Sequence, residues 1–354
     1  MTFQSYNKAD HAITRFIEKG DGDFETLALA LHDLQVRHVP AIAALCQNRD
    51  ITPSSIRQTH QIPAIPTTAF RDLAITSIPE RDRAHHFESS GTTGSKPSRH
   101  WHHEKSLELY KTSLNPPFKK HVLNGKEWKG RTLALTPLPA EAPHSSLAHM
   151  VGHVLERDAI HAAESTNDGW KINWQVCDSA CEQATKAAAP LLIFGPAFSF
   201  LHWLDSTETL HKLPKGSRIM ETGGYKGRSR ELPKNEFHML LSERLGVSES
   251  HIICEYGMCE LGSQAYDRET GTNKERVFRF PHWAQPIIIN PETGYTCVEG
   301  EIGLLRIIDL VNAYSSVAIQ TQDLARPVSN GFELLGRDRT AAPRGCSLNL
   351  LQQT

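Results

Sequence analysis

The stretch from Phe87 to His100 reads FESSGTTGSKPSRH, and the interpretation of the rest of the chain depends on it. Glycine has no side chain to pack, and serine and threonine compete for the backbone's hydrogen bonds, so the stretch favours neither helix nor strand. It predicts an ordered loop whose N–H groups and polar side chains surround an anion such as a nucleotide phosphate. A flexible Ser/Gly linker is the alternative interpretation. The residues predicted to bind the anion are Ser89, Ser90, Gly91, Thr92, Thr93, Gly94 and Lys96.

Net charge, the length of apolar runs and cysteine spacing indicate the general class of the protein. The chain has 354 residues, and its 38 basic and 40 acidic side chains leave a formal net charge of −2, which does not favour a nucleic-acid partner. No apolar run approaches the roughly 20 residues of a membrane span, so we expect a cytoplasmic protein with no integral membrane association. Seven scattered cysteines without a Cys-x2-Cys pair predict reduced thiols.

Histidines are frequent on both sides of this loop. The spacing of the five histidines nearest to it matches no set of metal ligands, and we interpret them as solvated loop or helix-start residues. They are His85, His86, His100, His102 and His103.

Apolar periodicity predicts both helices and a sheet. Residues 1 to about 60 read as helices, with Asp21 and Asp23 as candidate caps. The segments Pro190–Leu201 and Ser217–Gly227 each read as a buried strand entering a turn and a helix, which predicts a largely parallel sheet. Ligands gather at the carboxyl ends of such strands, and we place the loop at that edge. A helix predicted from His103 to Leu114 would set the loop at a helix start.

A second helix is predicted from His144 to Leu155. It begins with the polar residues His144, Ser145 and Ser146 and continues with apolar ones, so it is a candidate wall of an acyl pocket. Plain core packing explains the same apolar residues and stays open as the alternative.

Four motifs follow the loop in a fixed order. They are HIICEYGMCE at His251–Glu260, GEIGLLRI at Gly300–Ile307, QTQDLARP at Gln320–Pro327 and GFELLGRDR at Gly331–Arg339. With SSGTTG, this order resembles the adenylate-forming superfamily of acyl-CoA synthetases, firefly luciferases and peptide synthetase adenylation domains.

That resemblance implies ATP and Mg²⁺ as cofactors and assigns roles to individual residues. Tyr256 would stack on the adenine and Glu260 would hold the magnesium ion, while Asp323 would bind the ribose hydroxyls and Arg337 would lie near the α-phosphate. Cys259 stands where the superfamily usually has threonine, and a thiol is the weaker donor. The neighbouring positions assigned to the nucleotide are Glu255, Gly257 and Met258.

A narrower resemblance is to the acyl-protein synthetases of bacterial bioluminescence. It rests on FESSGTTG, SSLAHMV, ETGGYKGRSRE, EYGMCEL and RGCSL. It implies that Gly223, Gly224 and Tyr225 lie against the adenine, that Lys226 is close to the nucleotide, and that Cys346 accepts the acyl group. Only eight residues follow Cys346, so we expect a short tail in place of the superfamily's mobile C-terminal domain.

The chemistry of a thioester acceptor supports the assignment of the cysteine. The acceptor must be a thiolate, and nearby cations lower a thiol's pKa. Arg337, Arg339 and Arg344 are the cations closest to Cys346 along the chain. The alternative is a chance cysteine in a frayed tail.

We therefore predict an α/β fold in three parts. Residues 1–84 form a helical segment packed on the main domain, residues 85–335 the adenylate-forming domain, and residues 336–354 a hinge and tail. The predicted reaction activates a fatty acid as acyl-AMP, transfers the acyl group to Cys346 and passes it to a partner such as an acyl reductase. A ligase acting directly on coenzyme A or a carrier protein, and a catalytically inactive nucleotide-binding subunit, remain alternatives. The choice of acid and the oligomeric state are left open.

Overall fold

The computed structural model describes residues 1–89, 96–155, 158–166, 169–224 and 229–337. The chain packs into two compact units. Unit 1 comprises Met1–Ser113, Met258–Gln264 and the described part of Val277–Thr354, and unit 2 comprises Leu114–Gly257 and Ala265–Arg276. The predicted functional division at residues 84 and 335 is not tested by these packing units and stays a prediction.

Helices are distributed along the described chain. The α-helices are α1 Tyr6–Lys19, α2 Phe24–His38, α3 Pro40–Gln47, α4 Glu104–His121, α5 Ser146–Val154, α6 Trp174–Lys186, α7 Ala197–Ser206 and α8 Lys234–Leu245. Short 3-10 helices span Pro53–Ser55, Thr59–Gln61, Thr67–Arg71, Glu80–Asp82 and Glu249–His251. None of the described helices is both long and apolar enough to cross a membrane.

The strands begin at residue 65. They are β1 Ile65–Pro66, β2 His85–Glu88, β3 Arg99–His102, β4 Arg131–Ala134, β5 Ile160–His161, β6 Ala163–Thr166, β7 Gly169–Ile172, β8 Leu191–Pro196, β9 Arg218–Thr222, β10 Ile252–Tyr256, β11 Ala265–Tyr266, β12 Ala284–Ile289, β13 Gly303–Asp309, β14 Ala318–Val328 and β15 Gly331–Arg337.

Unit 2 contains the predicted parallel sheet. Its strand order is β11-β10-β9-β8-β4-β5, and every pair is parallel except β10 with β11. Both predicted strand–turn–helix segments are confirmed, because β8 leads into α7 and β9 precedes α8. The sheet packs on a core of helix and strand residues that excludes apolar surface from water. Its fully buried members include Leu133, Ile193, Phe200, Trp203, Ile219 and Phe237.

Unit 1 is built around a mostly antiparallel sheet. β12, β13, β14 and β15 pair antiparallel in chain order, and β1 joins the far side of β14 in parallel. The N-terminal helices predicted from the sequence pack on a core that includes Ile13, Leu31 and Trp283. Asp23 caps α2 as predicted, since its Oδ2 accepts from Thr26 N at 2.8 Å.

The elements that flank the predicted phosphate loop differ from the prediction. β2 and β3 form their own antiparallel pair in unit 1, so a strand stands between the loop and α4 and the predicted helix start beside the loop is wrong. α4 also continues past Leu114 through Pro116 and Pro117. Burial of Phe118 and Val122 favours the extra turns, which the prolines alone argue against. Placement of the loop at the edge of the parallel sheet stays a prediction.

Candidate functional site

In unit 1 the Cys259–Glu260 segment is held by side chains from distant parts of the chain. Asn312 Nδ2 donates to the Glu260 carbonyl at 2.9 Å and to Ser316 O at 3.1 Å. The Cys259 thiol donates to Glu260 Oε2 at 3.1 Å, and both residues are buried. The thiol uses one acceptor position of a carboxylate that has about four. The main chain of Glu260 is thus held by Asn312, and the described residues leave acceptor positions of its carboxylate for a cation.

His100 connects this segment to β3, which follows the predicted phosphate loop. The carbonyl of Cys259 can only accept, so His100 Nδ1–H donates to it at 2.8 Å. Complete burial of the ring lowers the pKa of His100 to about 4, although the bond to Cys259 raises it. The imidazole is consequently neutral at pH 7. We predicted that His100 and His102 are solvated, and this is wrong. Both are buried, because they point inward from a strand.

Hydrogen bonds close the base of the predicted loop. Ser89 N donates to Ser98 O at 3.1 Å, and Ser98 N donates to Ser89 Oγ at 2.9 Å. Ser89 thus holds the loop's two ends together, and Lys96 is exposed just before the second end. The predicted phosphate ligands Ser90, Gly91, Thr92, Thr93 and Gly94 lie outside the described residues.

Asp309, which sequence reasoning missed, orders the continuation of the Glu260 segment. Its carboxylate accepts from Gly262 N at 2.9 Å, Ser263 Oγ at 2.7 Å and Val311 N at 3.0 Å. Burial raises the pKa of Asp309 to about 6, and these hydrogen bonds offset part of the rise. An acidic residue that ends an apolar strand was the available signal, but two of its three partners, Ser263 and Gly262, are 46 and 47 residues away.

The predicted ribose and α-phosphate residues are neighbours in one strand pair. Asp323 on β14 lies opposite Arg337 on β15 in the antiparallel register. Asp323 is partly buried, and Arg337 is exposed with its Nη2 donating to Gln322 Oε1 at 3.1 Å. The structure therefore brings together two motifs that the sequence analysis treated separately.

In unit 2 the remaining nucleotide candidates lie at two adjacent strand ends. Gly223 follows β9 with φ of 68°, where a Cβ would meet no atom within 4 Å, so conformation rather than space favours glycine. Thr222 Oγ1 donates to Glu255 Oε2 on the neighbouring strand. Burial raises the pKa of Glu255 to about 7, against the effect of that hydrogen bond. Tyr256 is buried at the end of β10.

Several predicted positions adjoin these strand ends. Gly224 comes next after Gly223. Gly257 is the last residue of its segment of unit 2, and Met258 opens the segment of unit 1 that continues to Glu260. Tyr225, Lys226 and Cys346 lie outside the described residues.

The predicted acyl-pocket residues begin α5. Ser145 caps the helix, accepting from Ala148 N at 3.1 Å, while Ser146 is the first helical residue and His144 is exposed. At the other end of α5, Val154 and Leu155 line a cavity of about 380 Å³ that none of these three residues lines. Their role at an acyl group stays a prediction.

A magnesium site is compatible with this geometry. Within the described ranges, no group of three or more His, Cys, Asp or Glu side chains is arranged to hold a metal ion. Magnesium commonly uses one or two carboxylates together with substrate phosphates and water. Glu260, whose carboxylate has acceptor positions that no described residue occupies, fits that pattern.

Comparison with known proteins agrees with the predicted resemblance. The model of the family described as "Acyl-protein synthetase, LuxE" matches residues 26–354. A long-chain-fatty-acid–luciferin-component ligase of Aliivibrio fischeri is 23% identical over 320 residues, covering 86% of this chain and 82% of the relative.

Solved structures show the same fold. An open conformation of 2-hydroxyisobutyryl-CoA ligase in complex with 2-HIB-AMP and CoA aligns with a TM-score of 0.59 at 11% identity, over 89% of this chain and 76% of that one. ATP-bound MatB from Rhodopseudomonas palustris aligns with a TM-score of 0.50 at 13% identity, over 94% and 72%. The predicted α/β adenylate-forming fold is confirmed. The chain belongs to the LuxE family of acyl-protein synthetases and is an ATP-dependent, acyl-AMP-forming ligase.

Proposed function

We propose that this ligase activates a long-chain fatty acid, transfers the acyl group to Cys346, and delivers it to an acceptor protein such as an acyl reductase. The family's description names a protein as the acyl acceptor. The Aliivibrio fischeri relative is named for a long-chain fatty acid and a luciferin component, which supports the choice of acid and of a protein partner.

The observation that carries the proposal is the bond from His100 to the Cys259 carbonyl, across 159 positions of sequence. His100 lies on the strand leaving the phosphate loop, and Cys259 adjoins the proposed magnesium ligand Glu260. A residue that contacts phosphates and one that holds their counterion must lie together, and this bond joins the segments that carry them.

In the first step, a carboxylate oxygen of the acid forms a bond to the α-phosphorus of ATP, the bond from that phosphorus to the bridging oxygen breaks, and pyrophosphate leaves. Bound magnesium supplies charge neutralisation on the phosphates. Lys96 and the loop's donors stabilise the growing negative charge. Asp323 orients the ribose, and Arg337 lies near the α-phosphate.

In the second step, the Cys346 thiolate attacks the acyl carbonyl carbon, the bond from that carbon to the phosphate oxygen breaks, and AMP leaves. The product is a thioester and needs no oxidant. A thiolate of the acceptor protein then attacks the thioester, and Cys346 is released.

One experiment measures adenylation and acyl transfer to the cysteine separately. The wild type, incubated with ATP, magnesium and a labelled fatty acid, should exchange pyrophosphate and gain a label that neutral hydroxylamine removes. Cys346→Ser should keep the exchange and lose the label, because a serine hydroxyl is essentially un-ionised at neutral pH. Glu260→Gln should lose both. Cys297→Ser is the matched control and should keep both.

Each contrary result has a distinct meaning. A label mapped by peptide mass to Cys254 or Cys259 would reject Cys346 as the acceptor. Acyl-CoA formation at full rate by Cys346→Ser would select a coenzyme A ligase. Exchange that stays at background across fatty and aromatic acids would favour a nucleotide-binding subunit without catalysis.

A further inference from the structure

Lys234, the first residue of α8, contacts the ends of two strands in unit 2. Its Nζ donates to Glu221 Oε1 at 2.8 Å and Oε2 at 3.0 Å, and to Cys254 Sγ at 3.4 Å. Glu221 on β9 and Cys254 on β10 are direct partners in the parallel register. One ammonium group therefore joins both strands and the start of a helix.

The two contacted residues precede the proposed nucleotide-binding positions at the same spacing. Glu221 is two residues before Gly223, and Cys254 is two residues before Tyr256. Two residues of strand span about 7 Å. Lys234 is the first residue after the connection between β9 and α8, so its ion pair with Glu221 joins the end of the strand to the start of the helix.

His238, one turn along α8, adds a second contact to the same carboxylate. Its Nε2 lies 2.9 Å from Glu221 Oε1, and the side chains of both residues are almost completely buried. Among the described residues, no hydrogen-bond partner is in reach of His238 Nδ1. Glu221 is thus held from two positions of α8.

A buried ionic network contributes little net stability, because the free energy of removing its charges from water offsets their attraction. Burial alone would raise the pKa of Glu221, but the charge of Lys234 and the contact with His238 lower it to about 2, so the carboxylate is ionised. Replacing a buried ion pair by apolar residues is often neutral or stabilising, and the better attested use of a buried pair is to select one arrangement. The arrangement selected here is that of the ends of β9 and β10 relative to the first residue of α8.

We propose that Glu221, Lys234 and His238 are positioning residues that hold Gly223, Gly224 and the end of β10 in the geometry that binds the adenosine part of ATP. The inference rests on the proposed function, since it takes these positions as nucleotide-binding. None of the three residues needs to touch ATP.

The test compares two buried carboxylates of unit 2. Glu221→Gln removes the carboxylate that pairs with Lys234. The control is Asp178→Asn on α6, because the Asp178 carboxylate lies 2.8 Å from Trp203 Nε1 and 3.0 Å from His211 Nε2. In pyrophosphate exchange, Glu221→Gln should raise the KM for ATP about tenfold and leave kcat within about twofold. Asp178→Asn should lower the melting temperature and leave the KM unchanged. Lys234→Arg keeps the charge and should stay within about threefold of the wild-type KM.

Opposite results are equally informative. An unchanged KM in Glu221→Gln, or the same KM increase in Asp178→Asn, would overturn the positioning role and leave the proposed function intact. If Glu221→Gln does not fold, Lys234→Gln removes the positive charge of a partly exposed side chain but keeps a hydrogen-bond donor for Glu221, and the same KM criterion decides. A wild type that neither exchanges pyrophosphate nor binds ATP would reject the proposed function itself.

Discussion

Glu221 on β9 of unit 2 and Asp309 at the end of β13 of unit 1 are both completely buried carboxylates, yet they are stabilised in opposite ways. Glu221 has a cation, Lys234, within 2.8 Å. Asp309 accepts hydrogen bonds from neutral donors: two backbone N–H groups and the Ser263 hydroxyl. The pKa of Glu221 is lowered to about 2 and that of Asp309 is raised to about 6.

The comparison indicates that a neighbouring full charge lowers the pKa of a buried acid more than hydrogen bonds from neutral donors do. The change of stability with pH therefore has opposite signs for Glu221 and for Asp309. The Glu221 contribution is present above its unfolded pKa of 4.5 and is lost as the pH falls towards 2. The Asp309 contribution is present below its unfolded pKa of 3.8 and is lost as the pH rises through 6.

The largest effect should come from removing the cation. Lys234→Met leaves Glu221 buried beside His238 without its ammonium partner. Because the Lys234 side chain is itself partly exposed, water replaces part of the lost interaction, and we expect a loss of about 3 kcal/mol in the free energy of unfolding by urea at pH 7. Lys186→Met is the matched control, because Lys186 forms an exposed pair with Glu182 at 3.8 Å and should lose less than about 0.5 kcal/mol. Equal losses in the two variants would show that the buried pair is not special.

The pH dependence that Asp309 contributes to stability is the next largest effect. Stability should fall by about 2 to 3 kcal/mol between pH 4 and pH 7 from Asp309 alone, since one pKa unit corresponds to about 1.4 kcal/mol. Glu255, with its pKa raised to about 7, adds a loss of the same sign. Buried His100, whose pKa is lowered to about 4, contributes with the opposite sign. The check is therefore the difference in urea unfolding free energy between the wild type and Asp309→Asn, and a difference that does not change across this range would contradict the burial argument.

Replacing the carboxylate of Asp309 by an amide tests whether this side chain is stabilised as a neutral group or as a charge. An amide nitrogen cannot accept from Gly262 N–H, whereas a protonated carboxyl oxygen still can, so Asp309→Asn should cost about 2 kcal/mol at pH 5. The difference from wild type should shrink by pH 8, because only the wild type ionises. A difference that grows with pH would mean that Asp309 is stabilised as a charge.

The smallest effect should follow loss of one neutral donor. Ser263 Oγ donates to Asp309 Oδ1 and accepts from Trp283 Nε1 at 3.1 Å. Ser263→Ala should therefore cost about 1 kcal/mol and raise the pKa of Asp309 further. Carboxyl NMR titration measures the pKa, and a value that falls or stays fixed would show that this hydroxyl does not stabilise the carboxylate.

Much of the fold could be predicted because local patterns encode it. The apolar runs around Ile193 and Ile219 identified two strands of the parallel sheet, and Asp23 identified the start of α2. α4 was predicted too short, because the unfavourable prolines are local while the favourable burial of Phe118 and Val122 depends on partners elsewhere in the chain.

The candidate site was predictable only as a set of motifs. The order of SSGTTG, EYGMCE, QDLA and GRD identified the chemistry without giving any contact between them. His100 was predicted to be solvated because the sequence does not show that it lies on an inward-facing strand position. The roles of Ser90 to Gly94, Tyr225, Lys226 and Cys346 stay predictions.

The family, the α/β class and the residue types available for acyl activation follow from the amino-acid sequence, because these depend on local composition and on motif order. The pKa values of the buried acids and the contacts that hold the strand ends depend on the folded arrangement. The pKa of Glu221 depends on an ammonium 13 residues away and that of Asp309 on donors up to 47 residues away. Coulomb energy and desolvation depend on distance in space and on burial, which the order of residues does not specify.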